Sequence, residues 1–425
     1  MAGTATAAAA GGRATRTRVL AILGALVALG PLSTDAYVPA LPDLAPDLGT
    51  SASSAQLSIT TCLVGLAVGQ ILAGPLSDAY GRRRPLLLGL TLYTVAGLLC
   101  AVAPSIWLLV ALRGIQGVGG AFGIVIAYAA VRDQFSGVAA ARYFAMLLLV
   151  TGLAPVLSPL AGGQLLRVTS WEGIFVALAA LSGLLLLAAG VGLPETLAPQ
   201  NRHSGGLRQM GPVFRRLLAD RVFVGYCLAN SLAFAAMFAY ISGSPFVLQD
   251  IHGLNPQEYS LVFAVNALGL VIAAQVSGRV VHRVGGRFLL RLGLLGSMVG
   301  GLGVGAAVLA EAGVAALLVA LFVVVASVGL VMPNAAALAL EDHGAVAGTA
   351  SAVLGCAQFL VGGCIAPLVG VAGNDSAVPM AIVIAALGTT ALAVFLGLTG
   401  SRDRAVGPPT TEPALPSAPT GTARR

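Results

Sequence analysis

The chain has 425 residues, of which 57% are hydrophobic and only 9% charged, and its mean hydropathy is +0.93. A soluble domain needs roughly 25% charged residues to wet its surface, and a disordered chain needs low hydrophobicity, so both classes are excluded and the outer surface must face lipid. The formal net charge is +7, and every basic residue is arginine, because the chain contains no lysine.

In chain order, residues 1–18 are Ala/Thr/Gly/Arg-rich and read as a disordered cytoplasmic tail. A helix needs about 20 mostly apolar residues to cross roughly 30 Å of hydrocarbon. Twelve stretches qualify: 19–38, 55–77, 86–103, 106–131, 143–166, 173–193, 222–247, 259–281, 288–309, 313–340, 345–370 and 377–399. Their uniform apolarity favours helices over barrel strands, which would be about 10 residues long and alternating. The first span follows Arg13, Arg16 and Arg18 as a signal peptide would. Eleven further spans and no clear cleavage site mark it as a retained helix. Residues 400–425, rich in Pro, Thr and Ala, read as a second disordered tail.

Orientation follows from the positive-inside rule. With the N-terminus in the cytoplasm, 21 of the 23 arginines fall on the cytoplasmic side. Arg167 falls outside and Arg113 within a span. The outer loops carry Asp43, Asp47, Glu172, Asp250, Glu258, Glu311 and Asp375 instead. The expectation is a multi-pass protein of the cell membrane with both termini cytoplasmic. Its positive charge needs no nucleic-acid partner to explain it.

The spans divide into a six-helix bundle over 19–193 and another over 222–399, joined by a polar, basic central loop, 194–221. The halves echo each other. Gly74, Gly81 and Arg83 after span two align with Gly278, Gly285 and Arg287 after span eight at a constant offset of 204. Such repeats are the plan of secondary transporters. The predicted fold class is therefore all-α, with twelve transmembrane helices in two pseudo-symmetric bundles.

The segment from Gly74 through Asp78 and Gly81 to Arg82, Arg83 and Arg84 resembles the signature loop of the major facilitator superfamily. Ala79 stands where that loop usually has a basic residue, and His282 replaces the aspartate in the second copy. Further strings resemble the drug–proton antiporter division, in its bicyclomycin- and chloramphenicol-resistance-type branch. They are Leu32 to Pro42 on span one, Leu112 to Gly120 on span four, Val131-Arg132-Asp133 after it, and Gly152 to Gly163 on span five. Trp171 to Phe175, Leu193 to Thr196 and Tyr240 to Phe246 continue the likeness. The resemblance implies export of small amphiphilic drugs or antibiotics against a proton gradient, by a monomer. A specific metabolite such as an amino acid or sugar is the alternative substrate.

An ionisable residue inside a membrane costs roughly 2.5–3.5 kcal/mol on insertion scales. Asp35 lies 17 residues beyond Arg18, about 25 Å along a helix, and Arg113 about 10 Å into its span. Their comparable depth lets them face each other. Asp35 either carries the transported proton, with Arg113 biasing its charge, or caps a helix that Pro39 and Pro42 end. Arg113 could equally form a static ion pair. Tyr37, Gln116, Asn230, Tyr240, Asn266 and Gln358 offer hydrogen bonds either to a substrate or between helices. Gly74, Asp78, Gly81, Arg82 and Arg83 are candidates for conformational gating, as are Pro155, Pro159, Gly162 and Gly163 on span five, whose kink could seal the cavity or serve packing alone. The five cysteines lack CxxC spacing and the four histidines are scattered, so neither a disulfide framework nor a metal site is expected. Catalytic motifs are missing. The expectation is a transporter rather than an enzyme, with no cofactor, whose partners are a small-molecule substrate, protons and the bilayer.

Overall fold

The structure is a computed structural model describing residues 2–202, 206–343, 346–370 and 376–399. The C-terminal tail, 400–425, lies outside the described residues. Among the described residues the regular elements are all helical. The first half comprises α1 (Ala2–Asp35), a 3-10 turn (Val38–Ala40), α2 (Leu41–Asp47), α3 (Ala52–Tyr80), α4 (Arg83–Ala101), α5 (Ile106–Gln134), α6 (Gly137–Leu165) and α7 (Trp171–Gly192). After α8 (Gly206–Ala219), the second half runs through α9 (Arg221–Pro245), α10 (Pro256–Val284), α11 (Gly286–Leu309), α12 (Gly313–Leu340), α13 (Ala347–Val369) and α14 (Val378–Thr399). Twelve helices are long and apolar enough to cross a membrane.

Two features depart from expectation. Helix α1 reaches back to Ala2, where a disordered tail is predicted; its alanines have the highest helix propensity of any residue. The central loop also contains α8, whose Val213 and Leu217 pack against the second half. Many of the spans' other large side chains, such as Leu88, Trp107, Leu148, Leu187 and Leu302, are exposed around the bundle and form the lipid-facing surface.

Helix starts follow local chemistry. Ser51 and Ser105 accept from Ser54 N and Leu108 N at α3 and α5. Asn255 and Glu258 make a reciprocal capping box at α10. The repeat is visible in the backbone. Gly81 ends α3 at φ +86° and Gly285 ends α10 at φ +81°, a region that glycine enters without steric cost.

Buried apolar side chains form three clusters. One lies at the arginine-poor end and is continuous across both halves, including Tyr37, Leu63, Phe175, Phe234, Tyr240, Tyr259 and Leu321. At the arginine-rich end there are two. The first is built around Leu23, Leu86, Phe122 and Leu185 of the first half, and the second around Phe223, Leu290, Val331 and Phe395 of the other. The halves thus share a core at one end and keep separate cores at the other.

Within each half, close packing relies on glycine. A Cβ on Gly117 of α5 would stand 2.2 Å from Cys62 O on α3, and one on Gly329 of α12 would stand 2.2 Å from Leu270 O on α10. Around Gly74 a Cβ meets nothing within 4 Å. Gly117→Ala should therefore destabilise the detergent-solubilised protein by about 1–3 kcal/mol. Gly74→Ala should be neutral or stabilising by up to about 1 kcal/mol. Thermal unfolding checks both.

Candidate functional site

Asp35 ends α1 and is buried beside Thr34. The turn that follows, Val38–Ala40, packs on α9 and α10 of the other half. Asp35 lies within electrostatic reach of Tyr240 and Tyr259 on those helices, so the acid sits at the seam between halves.

Arg113 of α5 does reach α1, yet it grips Ser33 rather than Asp35. Its Nη1 donates to Ser33 Oγ at 3.2 Å and to Gln116 Oε1 at 2.6 Å, and its Nη2 to Ser33 O at 2.6 Å. The guanidinium lies 4.5 Å from the Tyr37 ring centroid and 5.4 Å from that of Phe175, a cation–π arrangement. Among the described residues no ion pair within 4.0 Å joins Asp35 to Arg113. The expected facing pair is not formed in this state, because Ser33, two residues earlier, occupies Arg113. Among the described residues, Arg113 Nε and Gln116 Nε2 find no hydrogen-bond partner although both are buried.

The remaining polar candidates mostly pair with one another. Tyr37 OH is 3.0 Å from Ser58 Oγ. Asn230 Nδ2 donates to Gln358 Oε1 at 3.1 Å, and Asn266 Nδ2 to Tyr240 OH at 2.9 Å. Three groups result: one around Arg113 and Tyr37 in the first half, one around Tyr240, Asn266 and Tyr259 in the second, with Asp35 between these two, and the separate pair Asn230–Gln358.

The gating candidates on α6 also meet this seam. A Cβ on Gly162 would stand 1.7 Å from Ala36 O, and one on Gly163 would stand 2.3 Å from Ser260 Oγ of α10. Pro155 and Pro159 lie inside α6 a few residues earlier.

The signature loop forms a second centre at the arginine-rich end. Arg82 is buried and bridges Asp78 at 2.5 Å and Asp133 at 2.8 Å. Burial works against its charge, but the hydrogen bonds and charges of Asp133 and Asp78 outweigh it and hold the guanidinium above its usual range. Glu195 accepts from Arg82 N at 2.8 Å, Arg83 N at 3.3 Å and Leu197 N at 3.0 Å. It thereby satisfies open amides at the start of α4. Partial burial opposes its ionisation, and these amides together with the Arg202 charge more than compensate, so Glu195 titrates below the usual glutamate range. A Cβ on Gly81 would stand 2.3 Å from Glu195 Oε2, so this glycine supplies both the positive φ and the space. Arg83 Nη2 donates to Gly190 O at the end of α7 (2.5 Å), and Arg287 Nη2 donates to Thr399 O at the end of α14 (2.7 Å). The aligned arginines cap the last span of their own halves.

Asp133 and Glu195, which hold Arg82, are acids of this centre that sequence reasoning passes over. Both occur in strings carrying the family likeness, but nothing in their spacing brings them to Arg82, 51 and 113 residues away. Among the described residues no group of His, Cys, Asp or Glu is arranged to hold a metal.

Two six-helix halves around a seam of buried polar groups define a membrane transporter of the repeat-built class. The Major Facilitator Superfamily model matches residues 20–367, and the chain belongs to that family. It is 37% identical over 383 residues to the uncharacterized MFS-type transporter YdgK of Bacillus subtilis, covering 90% of this chain and 95% of that one. It is 32% identical to a chloramphenicol resistance protein of Pseudomonas aeruginosa (87% of each chain) and 29% identical to a bicyclomycin resistance protein homolog of Haemophilus influenzae (89% and 95%). The fold resembles that of a D-xylose–proton symporter, with TM-score 0.73 at 16% identity, covering 90% of this chain and 97% of that one.

Glu195→Gln should lower stability by about 1–2 kcal/mol near neutral pH through loss of a charge-assisted cap. Because the folded carboxylate titrates below its usual range, its contribution is fully present above that range and is lost as pH falls from there through the lower, folded titration. The thermal unfolding curves of parent and variant should converge there. A gap unchanged down to strongly acid pH would contradict this role.

Proposed function

We propose that this transporter is a proton-coupled antiporter that exports small amphiphilic drugs or antibiotics by alternating access. It works as a monomer in the cell membrane with both termini cytoplasmic, and draws on the proton gradient without a cofactor. The observation that carries the reading is Asp35, buried at the seam with Tyr240 and Tyr259 of the opposite half in reach and not engaged by Arg113. The antibiotic-resistance names of the relatives support the substrate class.

In this reading the arginine-poor end is the outer end. The core shared there and divided at the other end corresponds to a state closed outward. A carboxylate buried without a cationic partner is costly, so we take this state to be the one in which Asp35 holds its proton. Reorientation of the halves then alters what faces Asp35. Water entering from outside loads the proton, and Arg113, anchored on the same helix at Ser33, sets the local positive field. The apolar lining, with few polar groups, suits amphiphilic substrates.

Asp35→Asn should reduce proton-driven accumulation in proteoliposomes at least tenfold while substrate binding persists. Normal, uncoupler-sensitive pumping by the variant would overturn the assignment. A susceptibility panel of chloramphenicol-like and bicyclomycin-like compounds, in a host stripped of its own pumps, separates drug export from metabolite transport. An unchanged panel would defeat the substrate class.

A further inference from the structure

Five hydrogen bonds between described residues run from one half to the other, and all lie in the arginine-poor half of the molecule. Ser53 Oγ donates to Pro367 O (2.9 Å), Gln56 Nε2 to Ser242 O (3.0 Å) and Thr60 Oγ1 to Gly363 O (2.7 Å). Gln249 Nε2 donates to Pro39 O (3.1 Å) and Gln257 Nε2 to Gly163 O (2.7 Å). In every case the donor is a neutral side chain and the acceptor a backbone carbonyl.

Three of these carbonyls are ones that helix geometry has released. Pro367 lacks an N–H, so it cannot donate to Gly363 O four residues before it. After α6, the amides of Leu166, Arg167 and Val168 go to Gly162, Gln164 and Leu165, passing over Gly163. At the end of α9 the helix widens into a π-turn (Phe246–Ile251), and Phe246 N donates to Gly243 O, which withdraws the α-helical donor of Ser242 O. An open carbonyl in a dry interior carries the full desolvation penalty, and here a side chain from the opposite half removes it.

We propose that these carbonyls are the sockets of a latch that closes the arginine-poor end, and that Thr60 is its principal positioning residue. The proposal rests on the alternating-access reading above for its place in the cycle. Thr60 is singled out because its socket is fixed by a proline. Its hydroxyl also has a resting place: Gln56 O of its own helix is 3.5 Å away, a back-bond open to helical threonine. On release the donor falls back on α3, and only the Gly363 carbonyl needs water. The latch is therefore strong when dry and weak when wetted. Glycine permits the close approach around it. A Cβ on Gly363 would stand 3.2 Å from Thr60 O, and one on Gly370 would stand 2.7 Å from Ser53 N.

The test uses the full chain in proteoliposomes, with Cys62, Cys100, Cys227, Cys356 and Cys364 replaced by serine and Ser260→Cys as reporter. Ser260 is buried on α10 against Gly163, and its labelling by a membrane-impermeant maleimide reads opening of this end. Thr60→Val should raise the labelling rate about fivefold, one hydrogen bond's worth, and Thr60→Ser should restore the parent rate. In a Pro367→Ala background the new amide can serve Gly363 O, so Thr60→Val should change the rate less than about twofold. Hydrogen–deuterium exchange of residues 363–370 in the cysteine-intact chain gives the same comparison without the replacements. A parent-like rate for Thr60→Val, failure of Thr60→Ser to rescue, or an undiminished effect beside Pro367→Ala would each overturn the latch. These rates report opening and not transport, so a failed antiport reading would leave them standing.

Discussion

Peptide groups cannot be left without partners in hydrocarbon, where each unmet amide or carbonyl costs several kcal/mol. That constraint makes every span a helix, and it also governs the places where helices stop or break. At the arginine-rich end the caps are charged and stay within one half. Glu195 serves the start of α4, Arg83 the end of α7, Arg287 the end of α14 and Asp220 the start of α9. At the arginine-poor end three carbonyls left open where helices end or break are met by neutral side chains from the opposite half. Strong caps hold each bundle together, and weaker ones hold the bundles to each other. This division is the one that the proposed alternating-access cycle needs.

The buried charges follow the same logic. Arg113 has no carboxylate partner among the described residues, yet its guanidinium is held by Ser33, Gln116 and two aromatic rings. Such a cation is fixed in place by neutral groups, with its contacts at Ser33 on α1 and at Tyr37 just beyond it. Had Arg113 paired with Asp35 directly, the acid would be locked as an anion and the seam would lose a carboxyl group free to change its charge.

Much of the fold was legible because hydropathy and arginine placement are integrated signals, accumulated over twelve spans. The two-half division was legible from Gly81 and Gly285, whose shared positive φ explains why both copies keep glycine there. The helical N-terminus was missed because low complexity and alanine propensity pull in opposite directions. Asp35 and Arg113 stood out individually through the cost of charge in a membrane, but depth along a helix says nothing about azimuth, and azimuth put Ser33 rather than Asp35 under Arg113. The Asp133 and Glu195 contacts were illegible because each spans more than fifty residues and depends on how α3, α5 and the α7 exit converge. The cap on Gly363 was hidden for another reason: a proline in sequence announces a missing donor, but not which distant hydroxyl will replace it.

The resting bond of Thr60 to its own helix has a further consequence. The hydroxyl has a protein partner whether the seam is shut or parted, whereas Gly363 O has one only when it is shut. In the latch proposed above, parting the halves moves one specific oxygen atom from a protein donor to solvent. Hydration of that single atom then enters the free energy of opening, so water acts there as a ligand with an address rather than as a medium.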